Sequence, residues 1–501
     1  MTTISQLSAQ DAQFLYVQGG DILTHVMSIN LYDPSTAPGG TVRFKDIVRH
    51  VASRCHTSPV FRRKLYRLPL DLDHPYWAED PNFDVEAHIT HARLPKPGDW
   101  RQFCILAARH FARPMDMGRP LWDIFVVEGI DGVPGVAPGS YALLQRFHHA
   151  AIDGASGSYA LIALCDKDAR GTPAVKPAAG AVELGAVPTP ATMVTRALAS
   201  NLASPVKVFN ALMKLSPALV AAARKRLAEP PGNGRLGVPV TRFNERVSPH
   251  RMFGAVEIKL TDLAGIRRLV DGATINDVIL AICSGALRRY LQVHGDLPRQ
   301  TLVAVAPINA RQGSGADEVP GNNISAMTVE LATNVADPVA RLQAVRNYTR
   351  DAKEAKTGLS ARVMTDLTRH IPGATLAGVA RLVTNERIAR NQANLIITNV
   401  PGPQIPLYMN GARLTHQFGM GPVTHGLGLF IAAISYNGVI SFCVTADRQL
   451  VPDVDVLCGC IEAAFDELRH ARVPTPARRV RKPVPAGRRK HPVRKQRKLR
   501  S

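Results

Sequence analysis

Residues 146 to 154 read Arg-Phe-His-His-Ala-Ala-Ile-Asp-Gly, and these types at this spacing fit proton-transfer chemistry. The preceding run, 141–147, has the composition of a buried strand. It predicts a strand that ends at His148 and His149, followed by a short apolar step to Asp153 and Gly154. An imidazole placed where a strand gives way to a loop reaches a cleft while rigid backbone supports it. Its near-neutral pKa lets it take up a proton and return it within one reaction. Neighbours on an extended strand point to opposite faces, so the two histidines are not both expected at one reaction centre. One acts and the other supports, and spacing alone leaves open which. The same alternation weighs against an iron site built from His148, His149 and Asp153, and no metal is expected. A carboxylate in an apolar loop is costly unless paired, so Asp153 is expected to meet an arginine, with Arg146 and Arg311 as candidates. Gly154 would allow a close turn into a following helix.

The elements that must hold these residues fall into two halves. In the first, strands are expected at 23–32, 121–129 and 141–147, with helices at 44–54 and 101–112. From 166 to 240 the chain turns rich in Ala, Pro and Gly, with a helical stretch at 191–227, which reads as a crossover linker. In the second half, strands are expected at 255–260, 302–306, 324–331 and 394–399, and a strong helix at 276–291. Asp337-Pro338 predicts a capped helix start. Asn437-Gly438 predicts a two-residue hairpin between strands 428–436 and 439–446, and a last helix follows at 453–468. The expected fold is α/β with mixed (α+β) sheets, in two domains that meet at a cleft. The expected limits are 1–165, a linker at 166–240, 241–470, and a basic tail at 471–501.

Composition narrows the class. With 46% hydrophobic and 20% charged residues the chain has ample material for cores. No apolar run approaches the roughly 18 residues of a membrane-spanning helix. The first residues lack the basic start and apolar stretch of a secretory signal, so a cytoplasmic location is expected. Seven cysteines without CxxC spacing argue against both a disulfide framework and a zinc site. The net charge of +21 is unevenly spread: residues 478–501 hold twelve Lys or Arg and no acid, leaving +9 on the rest. Such a tail is expected to be disordered, either idle in solution or drawn to anionic headgroups or nucleic acid.

The stretch His148-His-Ala-Ala-Ile-Asp-Gly154 resembles the HHxxxDG signature of CoA-dependent acyltransferases and condensation domains. Further segments narrow the resemblance. Leu7-Ser-Ala-Gln-Asp-Ala-Gln-Phe-Leu15 is similar to an opening LSxxDAxFL segment, and Asp80-Pro-Asn-Phe-Asp84 with His88 to a DPxFDxxxH stretch. Pro120-Leu-Trp122 resembles a PLW motif, Asn276-Asp277 an ND motif, and Asn399-Val-Pro-Gly-Pro403 a later signature. In this order they resemble the bacterial wax ester synthase/diacylglycerol acyltransferase family over about residues 5–470.

That resemblance implies two chloramphenicol-acetyltransferase-like domains with a channel between them. It implies transfer of a long-chain acyl group from acyl-CoA to diacylglycerol or a long-chain alcohol, with acyl-CoA as substrate and no cofactor. His149 becomes the general base. His148, Asp153 and Gly154 become supports, with Asn276 and Asp277 beside the channel. Asn276 is expected to donate a hydrogen bond there, and Asp277 to order the contact between domains. The insoluble substrates and the tail together suggest peripheral contact with an anionic inner-membrane face or lipid bodies, with no specific nucleic acid. Two other readings stand beside this one: a condensation-type enzyme using carrier-bound substrates, and an inactive relative on lipid bodies.

Overall fold

A computed structural model describes residues 5–152, 163–171, 187–199, 238–309, 324–356, 373, 375–378 and 392–472. In the first half the strands are β1 (Ser5–Gln6), β2 (His25–Asp33), β3 (Arg63–Tyr66), β4 (Tyr76–Glu79), β5 (Ile89–Arg93), β6 (Trp122–Glu128) and β7 (Tyr141–His148). The second half supplies β8 (Arg251–Lys259), β9 (Val303–Asn309), β10 (Ile324–Glu330), β11 (Leu395–Pro401) and β12 (Tyr408–Met409). It ends its strands with β13 (Ala412–Met420), β14 (Leu429–Tyr436) and β15 (Val439–Asp447). The helices that matter below are α1 (Ala9–Val17), α2 (Phe44–Arg54), α3 (Trp100–Phe111), α4 (Leu260–Arg267), α5 (Ile275–Val293), α6 (Pro338–Lys356) and α7 (Val454–His470).

Two six-stranded mixed sheets carry the fold. The first has the order β12-β13-β2-β7-β6-β5, the second β10-β9-β11-β14-β15-β8, and β1, β4 and β3 form a small third sheet. The strand pair at 408–420 falls inside the expected second domain, yet it pairs with β2 in the first sheet. The division at 241 therefore cuts across a sheet. The physical reason is that β2 has a free hydrogen-bonding edge that β13 satisfies, and paired edges are far cheaper than bare ones. A bulge between Leu414 and His416 turns β13 midway, so its early residues and its late residues join different cores.

Alternation along the strands builds those cores. Tyr141, Leu143 and Phe147 of β7 pack with α1 and α2 on one face of the first sheet. Ala142 and Leu144 face the other way, with Phe103 of α3, Phe253 of β8 and Phe418 of β13, in a core shared by both halves. A third core fills the second half, where Val278, Ile279 and Ile282 of α5 and Leu457 and Ile461 of α7 cover the second sheet. The Asn437-Gly438 hairpin forms as expected, with both residues at positive φ, 45° and 83°. Capping is explicit as well. Ser8 accepts the Asp11 N–H at 3.0 Å at the start of α1, and Asp99 and Gln102 form a capping box on α3.

Candidate active site

The two histidines have opposite environments. Every residue of β7 is buried, and the strand ends on His148, whose N–H donates to Leu121 O at 3.0 Å. His149 has left the ladder, but its N–H still donates to Thr24 O at 2.9 Å, which anchors the turn to the lead-in of β2. His148 is wholly buried. Its Nδ1 accepts the Ala150 N–H at 3.1 Å, so its proton sits on Nε2, 2.8 Å from Gln18 Oε1 and 3.1 Å from Thr24 Oγ1. Burial pushes its pKa down to about 3, aided by the nearby His25 and His149. With both nitrogens engaged it is a neutral brace for the turn.

His149 is partly exposed. Its ring lies flat on Phe14, with centroids 3.8 Å apart and planes 14° from parallel. Nδ1 has no hydrogen-bond partner in the protein. Burial lowers its pKa to about 4, opposed by its own backbone, so the imidazole is neutral above that pH. The stack on Phe14 fixes the ring plane. Nδ1 is itself buried, so an acceptor group can reach the ring only at its exposed edge.

Asp153, Gly154 and Arg311 lie outside the described residues. Arg146 is committed elsewhere: its Nε donates to Asp123 at 3.2 and 3.1 Å, its Nη2 to the same carboxylate at 2.5 Å, and its Nη1 to His110 O and Arg113 O. Asp123 lies directly across from it on β6, a partner that cross-strand register decides and sequence distance hides.

Asn276 and Asp277 open α5. Asp277 completes a capping box with Thr274, whose N–H and hydroxyl both donate to it at 2.8 Å, and it accepts the Thr349 hydroxyl at 2.6 Å. Thr349 belongs to α6, so Asp277 ties two helices of the second half rather than the two halves. Its position at the third residue of the helix explains this, since that residue points back at its own cap. Asn276 Oδ1 accepts from Asn399 Nδ2 at 3.4 Å, which brings the ND and NVPGP segments together at the surface. After Asn399, Gly402 must be glycine because a Cβ there would strike the Ser435 carbonyl oxygen. Trp122 is a packing residue, with its indole N–H donating to Phe61 O at 2.9 Å and its ring stacked on His88. Among the described residues no three His, Cys, Asp or Glu side chains converge to hold a metal. A cleft of about 530 Å³ lies between α2, residues 166–171 and Asn410-Gly411, away from both histidines. Its imidazole, His50, places Nε2 2.8 Å from Leu164 O.

Residues 7–279 match the wax ester synthase/diacylglycerol acyltransferase catalytic domain, and residues 320–469 match the C-terminal domain of the same family. The chain belongs to the wax ester synthase/diacylglycerol acyltransferase family. A Mycobacterium tuberculosis protein named as a diacylglycerol O-acyltransferase is 31% identical over 474 residues, 92% of this chain and 96% of the relative. The solved wax ester synthase/diacylglycerol acyltransferase of Marinobacter aquaeolei VT8 shares the fold at TM-score 0.65 and 24% identity, over 93% of this chain and 98% of that one. The first condensation domain of the CDA synthetase does so at TM-score 0.54 and 15% identity, over 93% and 97%. The mixed-sheet acyltransferase fold expected from the sequence is therefore the fold found.

Within this family member, Phe14, Gln18 and Thr24 contact the two histidines, and reading the sequence missed them. Phe14 was visible only as part of the opening LSxxDAxFL-like segment. Nothing in its spacing announces that it carries an imidazole from a strand more than a hundred residues away. Gln18 and Thr24 sit in the turn after α1 and had no motif to mark them.

Proposed function

We propose that this chain transfers a long-chain acyl group from acyl-CoA to the hydroxyl of diacylglycerol or a long-chain alcohol, with His149 as the base. The carrying observation is the contrast at the end of β7: a braced, saturated His148 beside a partly exposed His149 whose ring is held by its stack on Phe14. His149 removes the acceptor O–H proton as the oxygen attacks the thioester carbon. The C–O bond forms, and the carbonyl electrons move to an oxyanion that nearby donors stabilise. As the oxyanion collapses the C–S bond breaks, and the imidazolium returns its proton to the departing thiolate. A thiol pKa of about 8.5 makes that departure easy. Asn276 Nδ2 is a candidate donor beside the channel, since its Oδ1 is the atom that faces Asn399.

The cysteines support direct transfer, because none is suited to form an acyl-enzyme. Burial raises the thiol pKa of Cys165 to about 11 and those of Cys55, Cys283 and Cys458 to about 12. Cys104, Cys443 and Cys460 are shifted in the same direction for the same reason. A thiol held that far from ionisation is a poor nucleophile. The test is to offer labelled palmitoyl-CoA with a diacylglycerol and hexadecanol together, with no carrier protein, and to separate the products by thin-layer chromatography. Triacylglycerol, wax ester or both are expected. Absence of both esters, or label retained on the protein when acceptors are withheld, contradicts the reading.

The substrates are insoluble, and among the described residues no helix is long and apolar enough to cross a membrane. Contact with an anionic lipid surface through the basic tail fits both facts. Removing residues 473–501 is expected to weaken binding to phosphatidylserine-containing liposomes and to flatten its dependence on salt. Identical salt titrations for the full and shortened chains would exclude the tail.

A further inference from the structure

A buried chain of amides runs across the first sheet on the same face as His149. Ser28 Oγ donates to Asn30 Oδ1 at 3.2 Å, and Asn30 Nδ2 donates to Gln145 Oε1 at 2.9 Å. Asn30 is 3% exposed and Gln145 1%. The donation is directional and ends on Gln145 Nε2, which has no acceptor in the protein. One strand beyond, Gln417 of β13 lies opposite Asn30 and its Oε1 is likewise without a partner. A terminal amide can turn to present either its oxygen or its NH2, so Gln417 can serve as a second donor.

Three observations place this stripe on the face that carries His149, with exposed surface beside it and a turn of the second half nearby. By alternation, Gln145 shares the face of Tyr141, Leu143 and Phe147, and His149 stacks on Phe14, which packs on that same core. Val26, Ser28 and Gln417 are partly exposed, so the face is open beside the stripe. Across it stands the turn after β11, where a Cβ on Gly402 would lie 3.2 Å from Gln417 Oε1. Strand rise puts the Gln145 Cα roughly 13 Å from that of His149, a gap that the two side chains shorten from both ends.

We propose that Gln145, with Gln417 beside it, recognises an ester carbonyl of a glyceride acceptor and so discriminates diacylglycerol from a plain alcohol. This rests on the acyl-transfer reading and deepens it. A diacylglycerol whose free hydroxyl meets His149 carries two ester carbonyls a few bonds away. A fatty alcohol in the same place offers only methylene groups. Those leave a buried, polarised N–H donor without a partner, the situation in which a site rejects a ligand most strongly.

The test compares wild type with Gln145→Met and Gln145→Leu, which keep bulk and remove the donor together with the acceptor of Asn30 Nδ2. Asn30→Leu, which breaks the same bond and keeps the Gln145 donor, is the control and is expected to retain the preference for dioleoylglycerol. Rates are measured at varied dioleoylglycerol and at varied hexadecanol, with palmitoyl-CoA saturating, and melting temperatures are recorded alongside. The expected result is a fall of at least tenfold in kcat/KM for dioleoylglycerol, a change below twofold for hexadecanol, and an unchanged KM for palmitoyl-CoA. Equal losses with both acceptors, no loss with either, or a raised KM for palmitoyl-CoA would each overturn the proposal; the last assigns the donor to the CoA arm. A wild-type enzyme that esterifies neither acceptor refutes acyl transfer itself, and one that takes hexadecanol alone refutes only the acceptor assignment.

Discussion

Replacing His149 with Ala is expected to lower ester formation by about a thousandfold, in the middle of the range for loss of a general base. The fold should survive, because the ring is partly exposed and its Nδ1 holds no hydrogen bond, leaving only the stack on Phe14 to lose. His148→Ala is expected to do the reverse. It leaves the Ala150 N–H without its acceptor and takes one partner each from Gln18 and Thr24, which still hold each other, so it costs about 1–3 kcal/mol of stability and disturbs activity through the position of the turn. Steady-state rates and urea melts on both variants separate the roles. Activity of His149→Ala within tenfold of wild type would refute the assignment. The pH profile gives a second handle. With a pKa lowered by burial to about 4, the base stays competent far below the usual imidazole range, so the acid limb of kcat/KM should lie near pH 4. The same burial makes the fold acid-sensitive. His25 and His148 are each held near 3 in the folded chain against 6.5 unfolded, so the unfolded state binds more protons in that window. Their contribution is complete above about pH 6.5 and is lost progressively as pH falls toward 3. Circular dichroism at each pH is therefore needed to separate the acid limb from unfolding.

What the sequence revealed and what it hid divide along one line, the distance over which an interaction acts. Local signals were reliable. The helix expected at 44–54 is α2 residue for residue, and the hairpin at Asn437-Gly438 is in register from Leu429 to Ala446. The strand before the histidines runs one residue past its expected end. Interactions set by register or by folding back were invisible. β13 crosses into the first sheet because β2 lies open to it, and no feature of 408–420 alone specifies that partner. Asp277 was expected between the halves, but the capping box with Thr274 turns it toward its own helix and on to Thr349. For the histidines, the environments differ, but His149 has already left the strand, and alternation could not say which ring was saturated. That answer depends on Gln18, Thr24 and Phe14, which approach from the far side of the chain's first turn.

Asp123→Ala is expected to produce the largest loss of stability of any single change near the site, about 3–5 kcal/mol. The carboxylate is the partner of Arg146, whose side chain is 5% exposed, and it also meets His110 Nε2 at 3.1 Å. Burial alone would raise the Asp123 pKa, but the hydrogen bonds from His110 and Arg146 outweigh it and hold the group below its usual value. Without Asp123 the guanidinium remains buried on β7, two residues before His148, with only the His110 and Arg113 carbonyls to receive it. Those carbonyls lie at the C-terminal end of α3, so Arg146 fastens that helix end to the strand that carries the site. Loss of the pair should therefore loosen β7 and α3 together. A charge-free replacement of both partners, Asp123→Leu with Arg146→Leu, should recover much of the stability, since the penalty comes from the unpaired charge rather than from the missing bridge. Denaturant melts of the single and double variants read this directly. A single variant as stable as wild type, or a double variant no better than the single, would mean that this ion pair does not anchor the strand that carries His148.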